Sequence, residues 1–242
     1  MKMLILAGGL GIRMHPHTLS VPKPMLLVGN KPILERLIEH YIRCGFTEFV
    51  LAVGYRKEQI KRHFGDGSKW GIHIEYAEEE RLLGTGGAIR NSRHLLGDSR
   101  FVCSVGDILT TFDPMEAVRF HEKAGGIATI VARKAALPMD YGVLEFDENF
   151  RLKRFTEKPC EERYINMGIY VLEPEIFKYI PDVKDREVSF EQEVVPKLLE
   201  AGEQVNVYVT DAFWMDVARP KDYELAKTMF PRMVPVEWVE GI

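Results

Sequence analysis

The chain has 242 residues, 46% of them hydrophobic, and a net charge of −4 at pH 7 from 32 basic and 36 acidic side chains. The two signs are scattered without the basic stripe that nucleic acid requires, and no stretch approaches the roughly 20 apolar residues of a membrane span. Length and composition suffice for the core of one large α/β domain or two small ones. Cys44, Cys103 and Cys160 are widely spaced and form no CxxC or Cys/His cluster, which predicts a reduced, cytoplasmic protein. The leading MKMLILAGG holds only about five apolar residues before its glycines, short of a secretory signal.

In chain order, Met3–Ala7 is an apolar run closed by glycine and predicts a buried strand. Ile33, Leu34, Leu37, Ile38, Tyr41 and Ile42 recur at helical spacing up to Gly45. Strands are expected at 48–54, 71–77 and 100–107, and helices at 57–64 and 86–96. This alternation predicts a Rossmann-like, mostly parallel sheet flanked by helices. After Asp140 the character shifts. Residues 141–159 read as a hairpin turning at 147–149, and 164–172 as another strand. Ser189 and Gln192 fit a capping box for a helix over 190–201. A strand at 204–210 and a helix at 221–229 follow. The expected organisation is a single domain over 1–242, with a mostly parallel part to about 135 and a smaller, partly antiparallel part beyond it. The closing stretch carries Phe230, Val234, Trp238 and Val239 and is expected to pack on its own domain or on a second subunit.

The loop LAGGLGIRMHPHTLSVPKPM, residues 6–25, leaves the first strand at the end where open sheets bind ligands. Gly8, Gly9 and Gly11 let backbone N–H groups approach an anion. Arg13 adds a planar fork for phosphate oxygens, and Lys23 is held between Pro22 and Pro24. A dinucleotide fingerprint would need G-x-G-x-x-G running straight into a helix. Here Met14 stands at the third glycine, and the helix starts only near Pro32. A triphosphate therefore fits better than NAD, with a plain connecting turn as the remaining alternative. Asp107 ends a buried strand, where a carboxylate is costly. Asp107 and Asp216 are also residues of the kind that cap turns and helices.

The loop, followed in order by LGTGGAI (83–89), VGD (105–107), YGVLEF from Tyr141, EKP (157–159), INMGIYVL from Ile165 and FWMDVARPKDY from Phe213, resembles the sugar-1-phosphate nucleotidylyltransferases along nearly the whole chain. That resemblance implies transfer of a nucleoside monophosphate from an NTP to a sugar 1-phosphate with release of pyrophosphate. It implies nucleotide binding by Leu6, Ala7, Gly8, Gly9, Gly11, Arg13, Lys23, Gly84, Thr85 and Gly86, with Glu79 or Glu80 as further readers of the base. Arg13, Lys23 and Lys158 would be catalytic; Gly142, Glu157, Lys158 and Asn166 would hold the sugar phosphate; Asp107 and Asp216 would hold Mg²⁺. Within the family the chain is most similar to guanylyltransferases for heptose or mannose 1-phosphate. Cytidylyl- or uridylyltransfer and a non-catalytic nucleotide-sugar sensor stay open, as does the choice of monomer or homodimer. Val105 stands where the family has Asn, and Ala218-Arg219 where it has Gly and a variable residue. His15 and His17 replace an apolar residue and a leucine, and a metal role for them would need partners that the sequence does not offer.

Overall fold

The computed structural model describes residues 1–138, 143–148, 150–157, 160–182 and 186–233. Among them the strands are β1 (Met3–Ala7), β2 (Leu27–Val28), β3 (Lys31–Pro32), β4 (Glu48–Val53), β5 (His73–Glu78), β6 (Phe101–Val105), β7 (Ile108–Thr110), β8 (Ala128–Pro138), β9 (Val143–Phe146), β10 (Leu152–Thr156), β11 (Cys160–Leu172), β12 (Val205–Val209) and β13 (Trp214–Asp216). The helices are α1 (Ile33–Arg43), α2 (Lys57–Phe64), α3 (Gly84–Asn91), α4 (Arg93–Leu96), α5 (Pro114–Ala124), α6 (Val195–Glu200) and α7 (Pro220–Met233).

Seven strands form one sheet in the order β12-β8-β11-β6-β1-β4-β5. β1 lies parallel to β4 and β6, β4 parallel to β5, and β12 parallel to β8. Only β11 runs antiparallel to its neighbours, β6 and β8. This is the expected mostly parallel sheet with a smaller antiparallel part. Residue 135, where the two parts were expected to meet, lies inside β8.

Strand alternation divides the interior. Met3, Ile5 and Ala7 of β1 join α1, α2 and α5 in one core, whereas Leu4 joins α3, α4, α6 and the segment around Phe177 in the other. Each of the central strands is therefore apolar on both faces, which is why it reads as a continuous hydrophobic run. A third cluster, with Met14, Leu26, Val28, Leu109, Val217 and Tyr223, packs under the long first loop.

The expected single helix over 86–96 is two helices, and it begins at Gly84. Both the N–H and the hydroxyl of Ser92 donate to the Ala88 carbonyl, a back-bond that ends the regular run. Ser189 does cap the later helix, accepting from the Gln192 N–H at 3.1 Å. The returning acceptor for the Ser189 N–H is Glu193, one residue beyond Gln192, because residues 190–194 are wound as a wider π turn. The stretch 234–242 lies outside the described residues.

Candidate active site

β1 runs into a cleft of about 500 Å³ lined by residues 6–13, Lys23, Pro24, Glu79, Leu82, Gly84, Thr85, Ala88, Val105, Asp107, Glu187 and Ala218. The loop over residues 8–25 is held by its neighbours. Thr18 Oγ1 donates to the Gly11 carbonyl (2.8 Å), Tyr55 Oη to the Thr18 carbonyl (3.0 Å), Arg56 to the Leu19 carbonyl (2.7 Å) and Gln59 to the Ser20 carbonyl (2.8 Å). Its first short turn leaves Arg13 exposed. Its second points Lys23 inward, where the residue is only 6% exposed.

Lys23 meets the two aspartates. Its Nζ lies 2.6 Å from Asp107 Oδ2 and 3.8 Å from Asp216 Oδ1. The aspartates are 109 positions apart in the sequence, and the β7–β13 ribbon joins them, pairing Ile108 with Asp216; the Val217 N–H also donates to the Asp107 carbonyl. Asp216 is thus a strand residue, and the α7 N-terminus uses Asp222, whose carboxylate accepts the Arg219 N–H at 2.9 Å. Burial and the Asp107 carboxylate push Asp216 above the usual carboxylate range, against the pull of Lys23 and Arg13. The two carboxylates converge on one cation position and supply only hard oxygen donors. That set fits Mg²⁺, which takes its remaining ligands from water and phosphate. No cluster of three or more His, Cys, Asp or Glu ligands exists among the described residues.

Glu79, which also lines the cleft, is 8% exposed. Its carboxylate lies against Gly8, where a Cβ would fall 2.7 Å from Oε1, so glycine is the residue that leaves room for it. Burial pushes the Glu79 carboxyl up to about 7; the Leu83 backbone N–H lowers it and the Glu187 carboxylate raises it. Gly84 opens α3 at φ +71°, with a Cβ site only 2.6 Å from the Val188 carbonyl. The same carbonyl accepts the N–H groups of Gly86 and Gly87 at 2.8 and 3.2 Å. Two first-turn donors of α3, those of Gly86 and Gly87, are therefore satisfied within the protein, and Gly86 is buried away from the cleft lining. The Thr85 hydroxyl donates to Glu191 Oε2 (2.7 Å) and accepts from the Phe190 N–H (2.8 Å).

The nucleotidyl transferase family pattern matches residues 2–230. The chain belongs to the nucleotidyl transferase family. It is 37% identical over 233 residues to the mannose-1-phosphate guanyltransferase of Aspergillus fumigatus, covering 92% of this chain and 62% of that relative. It is 39% identical to the probable mannose-1-phosphate guanylyltransferase 1 of Oryza sativa, with 92% and 63% covered. The chain thus spans less than two thirds of the length of these relatives. Among solved structures, HddC from Yersinia pseudotuberculosis in complex with GMP-PN is similar at 28% identity and a TM-score of 0.75, over 95% of this chain and 99% of that one.

In this nucleotidyl transferase, Leu6, Ala7, Gly8, Gly9, Gly11, Arg13, Lys23, Gly84, Thr85 and Asp107 share the cleft, and Asp216 adjoins it through Lys23. Glu157 is exposed at the end of β10, and Asn166 is exposed on β11. Asn166 donates to Tyr170 Oη (2.7 Å) and accepts from the Gly168 N–H (2.8 Å). Gly142 and Lys158 lie outside the described residues. His15 and His17 are exposed, His17 edge-on to Tyr223. Glu187, Leu10 and Leu82 line the cleft without having been singled out in the sequence. The two leucines adjoin glycine motifs, which was a usable signal; Glu187 stands about a hundred residues beyond the second motif and farther still from the first, and carried none.

Proposed function

We propose that the chain transfers a guanylyl group from GTP to a sugar 1-phosphate, either mannose 1-phosphate or a heptose 1-phosphate, in the presence of Mg²⁺. The observation that carries this reading is the convergence of the glycine loop, Lys23, Asp107 and Asp216 at one cleft. A sugar-phosphate oxygen attacks the α-phosphorus of GTP and forms a new P–O bond. The bond from the α-phosphorus to the bridging oxygen breaks, and pyrophosphate leaves. The second pKa of a phosphomonoester is about 6, so the nucleophile is already ionised near neutrality and no general base is needed.

The protein's task is to align two anions and offset charge at the α-phosphorus. Backbone N–H groups of the glycine loop and Arg13 bind the triphosphate, and Lys23 is the buried cation for the departing pyrophosphate. Asp107 and Asp216 hold the metal, which when bound supplies positive charge to the α-phosphate oxygens. Glu157, Lys158, Asn166 and Gly142 hold the sugar phosphate.

Glu79 supports guanine over the other bases. An ionised carboxylate offers two acceptors, and the guanine edge offers paired donors at N1 and N2; uracil and cytosine present fewer donors there. Names and similarity of the relatives support the same base and sugar class. The three free cysteines fit a reducing cytoplasm. No described helix is long and apolar enough to cross a membrane.

Pyrophosphate release measured with four NTPs against mannose, heptose and glucose 1-phosphates in Mg²⁺ tests the proposal. Turnover with GTP is expected. Turnover only with CTP or UTP would overturn the base choice. Tight nucleotide-sugar binding without turnover for any pair would identify a sensor.

A further inference from the structure

We propose that Glu187 is a specificity-determining residue of the nucleotide cleft, a second acceptor that takes the N2 amino group of guanine beside Glu79. This role depends on GTP being the nucleotide that the chain uses. Both acids line the cleft, and one residue joins them. The Leu83 N–H donates to the Glu79 carboxylate, and the Leu83 carbonyl accepts the Val188 N–H at 2.7 Å. Val188 in turn offers its carbonyl to the Gly86 and Gly87 N–H groups. The segment that carries Glu187 is thus bonded through both sides of the Val188 peptide to the turn that opens α3. Gly84 permits that approach, because a Cβ there would fall 2.6 Å from the Val188 carbonyl. A side chain at 84 would push the segment outward, and Glu187 with it.

The lining is divided by charge. The first loop brings Arg13, Lys23 and the glycine N–H groups, whereas the β5–α3 turn and residue 187 bring carboxylates. Asp107 is matched by Lys23 at 2.6 Å; Glu79 and Glu187 instead feel each other's charge. A triphosphate is drawn to the cations and repelled by these two acids. The part of the nucleotide that meets them must therefore donate hydrogen bonds without carrying negative charge. Guanine offers one hydrogen on N1 and two on the adjacent N2. The N1 hydrogen and the nearer N2 hydrogen match the two oxygens of one carboxylate, that of Glu79. The other N2 hydrogen points away from this pair and loses water as the base enters, so it needs an acceptor of its own.

Glu187 is the acid of its segment that is left to do this. Glu191 accepts from Thr85 and Tyr170, at 2.7 and 2.9 Å. Glu193 pairs with Arg186 at 2.6 Å, so the cation next to Glu187 in sequence is directed to another partner. Glu187 keeps an exposed carboxylate on the cleft lining. Glu79 is accordingly the buried, fixed acceptor and Glu187 the solvent-facing one. Losing the second would remove one hydrogen bond to N2 without disturbing the packing that holds the first.

Inosine triphosphate keeps the N1 hydrogen and O6 of guanine and lacks the N2 amino group. Titration calorimetry of the full chain with GTP, ITP and 2′-deoxy-GTP in Mg²⁺ tests the role. At about pH 8 the Glu79 carboxyl, raised to about 7, is mostly ionised. The wild type should bind GTP about 100-fold more tightly than ITP. Glu187→Ala should cut that preference about tenfold by weakening GTP. ITP should bind as before or slightly more tightly, since a negative charge is removed from its path. Glu187→Gln keeps a neutral acceptor oxygen and should fall between. A preference for GTP over ITP that Glu79→Gln reduces and Glu187→Ala does not would overturn the role of Glu187 and leave the guanine reading standing. Equal weakening of all three nucleotides would show a structural effect, and a change confined to the GTP to 2′-deoxy-GTP ratio would assign Glu187 to the ribose; either overturns the proposal. A wild type that binds CTP or UTP in preference to GTP would overturn the guanylyl reading, and this role with it.

Discussion

Lys23 Nζ stands 2.6 Å from Asp107 Oδ2, and the same ammonium is 3.8 Å from Asp216 Oδ1. A buried lysine therefore shares the position on which the two carboxylates converge, and it competes there with a divalent cation. Lys23→Met should tighten Mn²⁺ or Mg²⁺ binding to the nucleotide-free protein by about tenfold. It should also lower turnover by about two orders of magnitude through loss of a cation at the leaving group. Titration calorimetry and steady-state kinetics read the two effects; unchanged metal affinity would show that lysine and metal do not share the site.

Asp107→Asn tests the opposite partner. Lys23 loses its 2.6 Å carboxylate while remaining buried, and a buried charge deprived of its partner costs about 1–3 kcal/mol. Turnover in Mg²⁺ should fall about 100-fold or more. Thermal unfolding and a pyrophosphate assay measure both quantities. A variant with near-normal turnover would remove Asp107 from the reaction.

β1, β4 and β6 were legible in the sequence because they are buried and thus appear as apolar runs, and β5 and β12 from alternation; β8 (Ala128–Pro138) and α5 (Pro114–Ala124) were not among the expected elements. Helices over 33–43 and 57–64 were legible from their 3.6-residue period. The junction at Asp107 was not legible as geometry. Strands of three residues carry no periodicity, and Ile108 finds Asp216 only through tertiary packing. The same reason hides Val188, whose carbonyl takes the Gly86 and Gly87 donors of α3. Glu79 stands in a run of three glutamates, so the sequence left the reader of the base open between Glu79 and Glu80. Its burial comes from Gly8 and Gly54, which let three chain segments approach closely.

Glu79 gives the protein a pH dependence of definite sign. Its carboxyl is raised from about 4.5 to about 7, chiefly by burial. A raised carboxyl contributes stability that is fully present below its unfolded value and is lost as pH rises through its folded value. The nucleotide-free protein should therefore lose up to about 3 kcal/mol between about pH 5 and pH 8 from this group, and Glu79→Gln should flatten that slope. Guanine donors favour the ionised form, so GTP affinity should rise over the same interval in the wild type and not in the variant. Melting curves and GTP titrations across the range check this. A wild-type profile matching that of Glu79→Gln would refute the role of the carboxylate.

Glu191 links Thr85 of α3 to Tyr170 and Asn166 of β11. Its Oε2 accepts from Thr85 of α3, its Oε1 accepts from Tyr170 Oη at 2.9 Å, and that hydroxyl in turn accepts from Asn166 Nδ2. Asn166, proposed for the sugar phosphate, is thus joined by a chain of bonds to Thr85, proposed for the nucleotide. Tyr170→Phe removes the middle link and leaves the aromatic packing on Phe190 in place. The loss of stability should be about 1 kcal/mol. If Asn166 contacts the sugar, KM for the sugar phosphate should rise about 5- to 10-fold with KM for GTP unchanged, because only the orientation of Asn166 is released. Tyr170 also lies beside Cys103 of β6, against which its strand is registered, so a general loosening of the sheet would raise both KM values together. The separation of the two constants therefore distinguishes a positioning role from a merely structural one, and equal changes in both would count against the relay.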